Sequence, residues 1–307
     1  MKNKNKTVWL SALALIALIL CPVIVWGQSL PANPGLYKLE SGQYIPIAGI
    51  AANDIPAAFT RVNLNGAAND GIYILVINQD ITLSAQQSLT RGANRQLTII
   101  GVGAERTITA VPAGFFRTSI SSSKVNITLT LGENITIRGA TDRSAQHLIL
   151  VQSIANSTAS VIMKEGSKIT GFNGSNNTHY PVNIAGSGAS FTMDGGEISG
   201  NTHTVTGLIA ACAGVFVAGN GTFIMNGGTI TRNAVNDVNT QANSSNGPGV
   251  YVNAAGGSGG AFIMNGGSIT GNTRNGAAMD VYVVNNAQTS FTRNGGDIGV
   301  LDNRKTP

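Results

Sequence analysis

The residues best suited to acid–base chemistry in this sequence are two carboxylates that lie close together, Asp194 and Glu197. Hydrolysis of a glycosidic bond needs two carboxylates roughly 5 to 10 Å apart, and a lyase needs carboxylates that hold a cation beside a basic residue. The sequence pattern around Asp194 recurs three times, with amides at its position (Asn226, Asn265 and Asn294). No column of acidic residues is therefore expected. We assign no catalytic residue and interpret the pair as an exposed turn.

The three histidines, His147, His179 and His203, are candidate metal ligands or general bases. His179 and His203 both follow an Asn-Thr pair at the same place in consecutive sequence repeats, so they are predicted to be neighbours. No third ligand has a comparable register. We therefore expect these two histidines to lie in solvated loops, and we predict no metal and no cofactor.

The distribution of charge argues against a nucleic-acid partner. The formal charge is +5 over 307 residues, but Lys2, Lys4 and Lys6 lie in a first segment that has no acidic residue. The rest of the chain carries 16 basic and 14 acidic groups, without the basic stripe that binds phosphates. Charged residues make up only 11% of the chain, which is too few for a coiled coil or a charge-driven disordered tail.

Residues 1–27 have the pattern of a signal peptide. Three lysines precede an almost wholly apolar run from Val8 to Val25, and the expected cleavage point lies before Gln28. The alternative is an uncleaved membrane anchor, because the apolar run is nearly long enough to span a bilayer; the membrane would then be a partner through this segment alone. We expect export to the cell surface or the outside of the cell, with the periplasm as the alternative. Cleavage would leave Cys212 as a single, buried thiol without a disulfide partner.

Internal repeats determine the predicted architecture. Four segments share the pattern Phe-x-x-(Asp/Asn)-Gly-Gly-x-Ile, and their second glycines are spaced by 32, 39 and 29 residues. Three of the four copies continue to an asparagine. The residues that define the repeat are Phe191, Gly195, Gly196, Ile198 and Asn201; Phe223, Gly227, Gly228, Ile230 and Asn233; Phe262, Gly266, Gly267, Ile269 and Asn272; and Phe291, Gly295, Gly296 and Ile298.

Each copy is preceded by a second alternating run, such as Val215-Phe-Val217 or Val250-Tyr-Val252. Alternation with a period of two predicts strands with one buried face. No helical pattern of adequate length lies between them, and three short strands per unit are too few for the four-stranded blade of a β-propeller. We therefore predict a solenoid with parallel ladders, a sharp Gly-Gly bend, inward-pointing Phe, Met and Ile side chains, and stacked asparagines.

The predicted organisation has three parts: the signal peptide, a lead-in with a capping helix over residues 28–66, and the repeats over residues 67–307. Asp54 is the predicted N-cap of a helix from Ile55 to about Asn63, with Pro56 in its first turn. Such a helix would cover the open end of the solenoid core.

The segments that follow each repeat asparagine differ in length and are predicted to be polar loops on one face. They are Phe172 to Pro181, Thr202 to Gly214, Ala234 to Gly249 and Thr273 to Asp280. Insertions at one place in each coil project from the same side, which is often a binding face.

The Phe-x-x-Asn element (Phe223 to Asn226, Phe262 to Asn265 and Phe291 to Asn294) and the Gly-Gly-x-Ile element resemble repeats of bacterial surface β-helix proteins. These include chlamydial polymorphic outer-membrane proteins and spirochaete repeat proteins of the pectin-lyase-like class, and the similarity covers roughly residues 95 to 300. The resemblance implies a single right-handed parallel β-helix on the cell surface, with adhesive or antigenic roles. In this chain the two elements are fused into one run, and no membrane barrel follows them.

From these observations we expect an exported, non-enzymatic surface or structural repeat protein, with an adhesin that presents polar loops as one form of it. Its partner would be an unknown surface ligand, a protein or glycan of a host or a neighbouring cell. The alternative is a carbohydrate-active or carbohydrate-binding β-helix protein, with a polysaccharide lyase or hydrolase as its enzymatic form.

Overall fold

The computed structural model describes residues 29–120, 122, 124–140, 146–175, 179–206, 210–238, 246–255 and 258–303. The predicted signal peptide, residues 1–27, lies outside this part, as do Arg304 and Lys305. The fold is nearly all β, with parallel sheets that form a solenoid and one α-helix near the N-terminus. The predicted fold class, an all-β parallel solenoid with a short N-terminal helix, is confirmed.

Three long sheets form the walls of the solenoid, with strands numbered along the chain. Sheet A runs in the order β2 (Gln43–Pro46), β1 (Gly35–Glu40), β3 (Gly71–Ile77), β6 (Arg95–Gly101), β9 (Asn126–Leu131), β12 (Thr158–Met163), β16 (Ala189–Met193), β20 (Thr222–Met225), β26 (Ala261–Met264) and β31 (Ser290–Arg293). Sheet B runs in the order β4 (Ile81–Thr82), β7 (Arg106–Thr109), β10 (Ile135–Arg138), β13 (Ser167–Thr170), β17 (Glu197–Ser199), β21 (Thr229–Thr231), β27 (Ser268–Thr270) and β32 (Asp297–Ile298). Sheet C runs in the order β5 (Gln87–Leu89), β8 (Phe116–Thr118), β11 (Ile149–Gln152), β15 (Val182–Ala185), β19 (Val215–Ala218), β23 (Val250–Val252), β30 (Val281–Val283) and β33 (Leu301–Asn303).

The repeat residues stack because the sheets pair in register. The phenylalanines of the four copies are direct partners in sheet A, and the isoleucines are direct partners in sheet B. Phe223 and Phe262 are fully buried, and their rings stack with centroids 4.9 Å apart. The same side chain therefore fills the same part of the core in each coil, which is the packing that the alternating pattern predicts.

The Gly-Gly bend depends on its second glycine. The φ angle lies between +80° and +83° at Gly196, Gly228, Gly267 and Gly296, a region that residues with a side chain rarely adopt. A Cβ atom at Gly228 would also lie 2.5 Å from the carbonyl oxygen of Gly196 in the preceding coil. Glycine is therefore required here both by the backbone conformation and by the close approach of the preceding coil.

The N-terminal end of the core is covered by helix α1 (Ile55–Val62), as predicted. The Asp54 carboxylate accepts a hydrogen bond from the Ala57 N–H at 2.9 Å, which caps the helix. Ile55 and Phe59 are buried in the main core, and the Phe59 ring lies 6.0 Å from that of Phe116. A short 3₁₀ turn (Ala67–Asn69) connects α1 to β3.

The segment before this helix is more ordered than the predicted lead-in. Strands β1 and β2 form an antiparallel hairpin, and β1 also pairs antiparallel with β3. The hairpin thereby covers the N-terminal edge of sheet A, since an unpaired edge would leave backbone groups free to join another chain.

The predicted loops after the repeat asparagines are only partly loops. Their first residues form a fourth sheet, sheet D, with strands β14 (Asn173–Gly174), β18 (Thr202–Val205), β22 (Ala234–Asp237), β28 (Thr273–Arg274) and β29 (Ala277–Ala278). The first four strands pair in parallel, and β28 turns back into β29. Alternating burial in β18 and β22 places Val205 and Val235 inward, so the period-two pattern was present in the sequence but was interpreted as loop.

Two smaller differences concern the later coils. A two-stranded antiparallel ribbon, β24 (Ala254–Ala255) and β25 (Ser258–Gly259), lies between β23 and β26. A further strand also follows the Ile298 copy, because β33 pairs in parallel with β30.

Candidate functional site

The repeat asparagines form a buried hydrogen-bonded ladder at the junction of sheets B and D. The Nδ2 of Asn201 donates to Oδ1 of Asn233 at 2.9 Å, and the Nδ2 of Asn233 donates to Oδ1 of Asn272 at 2.9 Å. All three side chains are 0% exposed. The Nδ2 groups of Asn233 and Asn272 also donate to the carbonyl oxygens of Ile198 and Ile230.

This inner ladder ends on a carboxylate that the sequence analysis did not single out. Asp280 is 1% exposed. Its Oδ1 accepts from both the backbone N–H and the Nδ2 of Asn272, at 2.9 and 2.8 Å, and its Oδ2 accepts from the Val300 N–H at 2.8 Å. An amide chain that donates forward at each step needs a pure acceptor at its end, and a carboxylate provides one.

A second, exposed ladder runs along the Gly-Gly bends in the opposite direction. Asn294 donates to Asn265, Asn265 to Asn226, and Asn226 to Oδ1 of Asp194, at 2.7 to 2.8 Å. Asp194 also accepts from Lys164 Nζ at 2.7 Å. The position before Gly-Gly is therefore a structural column, and Asp194 is its terminal acceptor.

The second predicted acid, Glu197, lies in an ion-pair network with Lys168 at 3.6 Å and Arg232 at 2.6 Å. Partial burial acts to raise the pKa of Glu197, but the hydrogen bond from Ser199 and the two cations together lower it. A carboxyl with a lowered pKa is a poor general acid at neutral pH. The geometry thus assigns structural partners to both acids of the pair.

The expectation of solvated loops for His179 and His203 was wrong for His203, while His179 lies outside the strands and is half-buried. His203 lies in β18 and is 0% exposed, and His147 is 9% exposed. The His147 ring contacts that of His179 at 5.0 Å and that of Tyr180 at 5.6 Å. Tyr180 in turn contacts His203 at 5.8 Å. The expectation that His179 and His203 occupy the same place in their coils was wrong, because sheet D pairs His203 with Gly174, and it is Tyr180, next to His179, that contacts His203.

Hydrogen bonds define the proton positions in this histidine cluster (His147, His179 and His203, with Tyr180 and Asn183). His147 Nδ1 accepts from the Tyr180 backbone N–H at 2.9 Å, so the neutral ring carries its proton on Nε2. Asn183 Nδ2 lies 2.9 Å from this Nε2 and Asn183 Oδ1 is buried without a partner, so exchanging the two ends of the amide would place an acceptor against the Nε2 proton. Nδ1 of His179 is buried without a hydrogen-bond partner. Burial, followed by the charge of His179, lowers the pKa of His147 to about 3.

An aromatic column lies on the outer face of sheet C. Phe216, Tyr251 and Tyr282 occupy the outward position in the Val-x-Val triplets and are direct strand partners. Their ring centroids are 5.3 to 5.4 Å apart, and Tyr180 stacks on Phe216 at 4.0 Å. Their low exposure, between 2% and 7%, means that this column is a second small core. Its signal was the aromatic residue at the centre of each triplet.

Cys212 belongs to the same small core and is fully buried, as predicted. Burial raises the pKa of its thiol to about 12, which keeps it protonated and unreactive. Its backbone carbonyl lies 3.0 Å from His203 Nδ1. Ala210 also packs against this small core, whereas Ala211 and Ala213 pack with Val205 and Val235 in a separate cluster.

Within the described ranges, no group of three or more His, Cys, Asp or Glu side chains could hold a metal ion. Among the helices of the same residues, none has the length and hydropathy to cross a membrane.

Comparison with models of known protein families, with curated proteins and with solved structures finds no match.

Proposed function

We propose that this chain is an exported, non-enzymatic β-helix repeat protein that works as a scaffold on the cell surface, where it presents polar segments to a ligand. The observation that carries the proposal is the position of the insertions. The segments that differ in length leave the coil mainly between sheets B and C, next to sheet D, with the β24–β25 ribbon between sheets C and A as an exception, while the repeat residues keep the same packing from coil to coil. A constant core with variable segments on one side is typical of a binding scaffold.

The longest insertion is the best candidate for ligand contact. The segment between β21 and β23, residues 232–249, has 18 residues, against 15 for residues 200–214 and 10 for residues 271–280 in the neighbouring coils. Its first residues form β22, and Val238, directly after this strand, is 60% exposed. Residues 239–245 follow and lie outside the described part of the chain. The variant that tests binding should therefore replace residues 239–245 and leave β22 intact.

The carbohydrate-active alternative rests on Asp194 and Glu197. Their ladder and ion-pair contacts favour structural roles. The alternative predicts release of new chain ends from an acidic polysaccharide, and loss of this activity in Asp194→Ala or Glu197→Ala. Turnover that survives both substitutions would point to other residues, and no turnover over a broad polysaccharide panel would contradict the alternative.

Surface exposure is the first experiment. A recognition site for a sequence-specific protease is inserted within residues 239–245, and the protease is added to intact cells of the source organism. Cleavage of this chain, while a periplasmic protein with the same inserted site stays intact, is the expected result. Protection of both proteins would contradict the surface proposal and favour a periplasmic scaffold.

Ligand binding is the second experiment. The purified chain should bind host or neighbouring cells saturably, and a Gly/Ser replacement of residues 239–245 should abolish this binding. The matched control replaces residues 141–145, which lie in the sequence between β10 of sheet B and β11 of sheet C. Equal binding by the wild type and the 239–245 variant would refute the assignment of this segment.

A further inference from the structure

The outer face of sheet A carries two columns of small and β-branched side chains. Every second residue of a strand points outward, and in-register pairing places these residues side by side from β6 to β31. One column contains mainly Ser and Thr, and the other contains only Thr and Ile. In the central strands β12, β16 and β20 the two columns are formed by Ser160 and Ile162, Ser190 and Thr192, and Thr222 and Ile224.

This outer face is open and uncharged. The six central residues are partly exposed, and Ser290 and Thr292 in the last strand are exposed. At the outward positions of β6 to β31, all of which the structure describes, no side chain is charged or aromatic. The other two walls differ, because sheet B places Lys168 and Glu197 outward and the aromatic column covers sheet C.

The two columns form a regular grid of hydroxyl and methyl groups. Neighbouring strands lie about 4.8 Å apart, and outward residues of one strand lie about 6.6 Å apart. Thr and Ile have restricted χ1 rotamers, and the hydroxyls of Ser160 and Ser190 are 2.8 Å apart in a hydrogen bond, so these groups repeat with the backbone. Water oxygens on the prism face of hexagonal ice repeat at close to the same two distances.

The composition of the face favours ordered water over other partners. Sugar rings bind to aromatic platforms, which the outward positions of β6 to β31 do not provide. A second copy of this chain would find too little surface: the grid is about 30 Å long and at most about 13 Å across, or about 400 Å² on each copy, half of what a stable interface buries. Methyl groups order the first layer of water without binding it, and the hydroxyls between them can donate and accept.

We propose that the outer face of sheet A, from β6 to β31, binds the surface of ice. Hydroxyls of the grid hydrogen-bond to lattice water, and the methyl groups between them hold the intervening water in lattice positions. Single contacts are weak, but the grid repeats them over seven strands. This face is separate from the segments between sheets B and C, so the inference does not depend on the proposed function.

Partition into ice is the test. Ice is grown slowly from a solution of the purified full chain and a reference protein that does not bind ice, and both proteins are measured in the ice and in the remaining liquid. The chain should be enriched in the ice relative to the reference protein. Its solution should also freeze below its melting point, because adsorbed molecules stop the growth of the crystal between them.

The variant that tests the face is Thr192→Lys, with Thr231→Lys as the matched control. Both threonines are half-buried and point outward, Thr192 from sheet A and Thr231 from sheet B. Lysine places a strongly hydrated charge at each position, so Thr192→Lys should lose the enrichment and the gap between freezing and melting, and Thr231→Lys should keep both. Far-UV circular dichroism checks the fold of each variant, and Thr222→Lys is used if Thr192→Lys does not fold.

Three outcomes would overturn the proposal. The first is a folded wild type that is no more enriched in ice than the reference protein. The second is an equal response of the folded sheet A and sheet B variants. The third is a dimer in sedimentation experiments that Thr192→Lys dissociates, without ice binding, since the face would then be an interface between two copies of this chain.

Discussion

The inner asparagine ladder allows a sharp test of what stabilises this solenoid. Asn233 is its middle member, and its side chain makes four hydrogen bonds. Oδ1 accepts from the backbone N–H of Asn201 at 3.2 Å and from its Nδ2 at 2.9 Å, and Nδ2 donates to Asn272 Oδ1 and to the Ile198 carbonyl oxygen, both at 2.9 Å. Asn233→Ala removes all four and leaves buried partners on both neighbouring coils.

The expected loss of stability follows from this count. A net contribution of about 1 kcal/mol for each hydrogen bond, with a larger penalty wherever a buried partner is left unsatisfied, gives a loss of about 3 to 5 kcal/mol. Asn226→Ala is the matched control, since it removes an asparagine from the exposed ladder of the same repeat. Water can replace its two exposed hydrogen bonds, so the control should lose less than about 0.5 kcal/mol.

Urea unfolding measures both variants. The midpoint and slope are followed by far-UV circular dichroism and by tyrosine fluorescence, and coincident transitions justify a two-state treatment, which repeat arrays do not always obey. A loss of less than about 1 kcal/mol in Asn233→Ala, or equal losses in the two variants, would refute the reasoning. The ladder would then be a consequence of the stacked coils and would contribute little to their stability.

Three further predictions use the same unfolding assay. Gly228→Ala should lower the free energy of unfolding by about 3 kcal/mol or more, and Gly276→Ala by about 1 kcal/mol. Both glycines have φ near +80°, but only Gly228 has a backbone oxygen 2.5 Å from the added Cβ. Equal losses of stability would contradict the packing explanation. Asp280→Asn should lower the free energy of unfolding by about 2 to 3 kcal/mol, because one of its two acceptor oxygens becomes a donor that faces Val300 N–H or Asn272. An unchanged urea midpoint would contradict the role of Asp280 as terminal acceptor. Folding lowers the pKa of His147, so the unfolded chain binds a proton below pH 6.5 that the folded chain does not bind until about pH 3. The free energy of unfolding should therefore decrease by about 2 kcal/mol between pH 7.5 and pH 5. The same decrease in a His147→Asn variant would contradict the assignment to this residue.

The stacked architecture explains where the aspartates of the two ladders lie. Each ladder passes hydrogen bonds in one direction, the inner one from Asn201 to Asp280 and the outer one from Asn294 to Asp194. A chain of amides needs an acceptor without protons at its end. Asp194 occupies the asparagine position of its own repeat, whereas Asp280 reaches the end of the inner ladder from the position that Gly249 holds in the preceding coil.

The sequence by itself determined the strands of the coil, the Gly-Gly bends, the capping helix and the stacking of like residues. In-register parallel pairing makes this possible, because it places equivalent residues of successive copies next to each other, so a repeat in sequence becomes a column in space. The Asp54 N-cap and the buried position of Phe59 could equally be predicted from the sequence, because the signals that start a helix and define its apolar face are local.

Only the tertiary structure decided the arrangement of the residues outside the repeat. His203 lies in β18 of sheet D, whereas His147 and Tyr180 each lie two residues before a strand of sheet C, so no repeat pattern connects His203 with the other two. Their contact depends on the packing of the Tyr180 ring against His203 and Phe216, which buries His203 although it was expected in a loop. Burial there, and with it the pKa of His147, is set by packing between unlike segments, and a repeat pattern contains no information about such contacts.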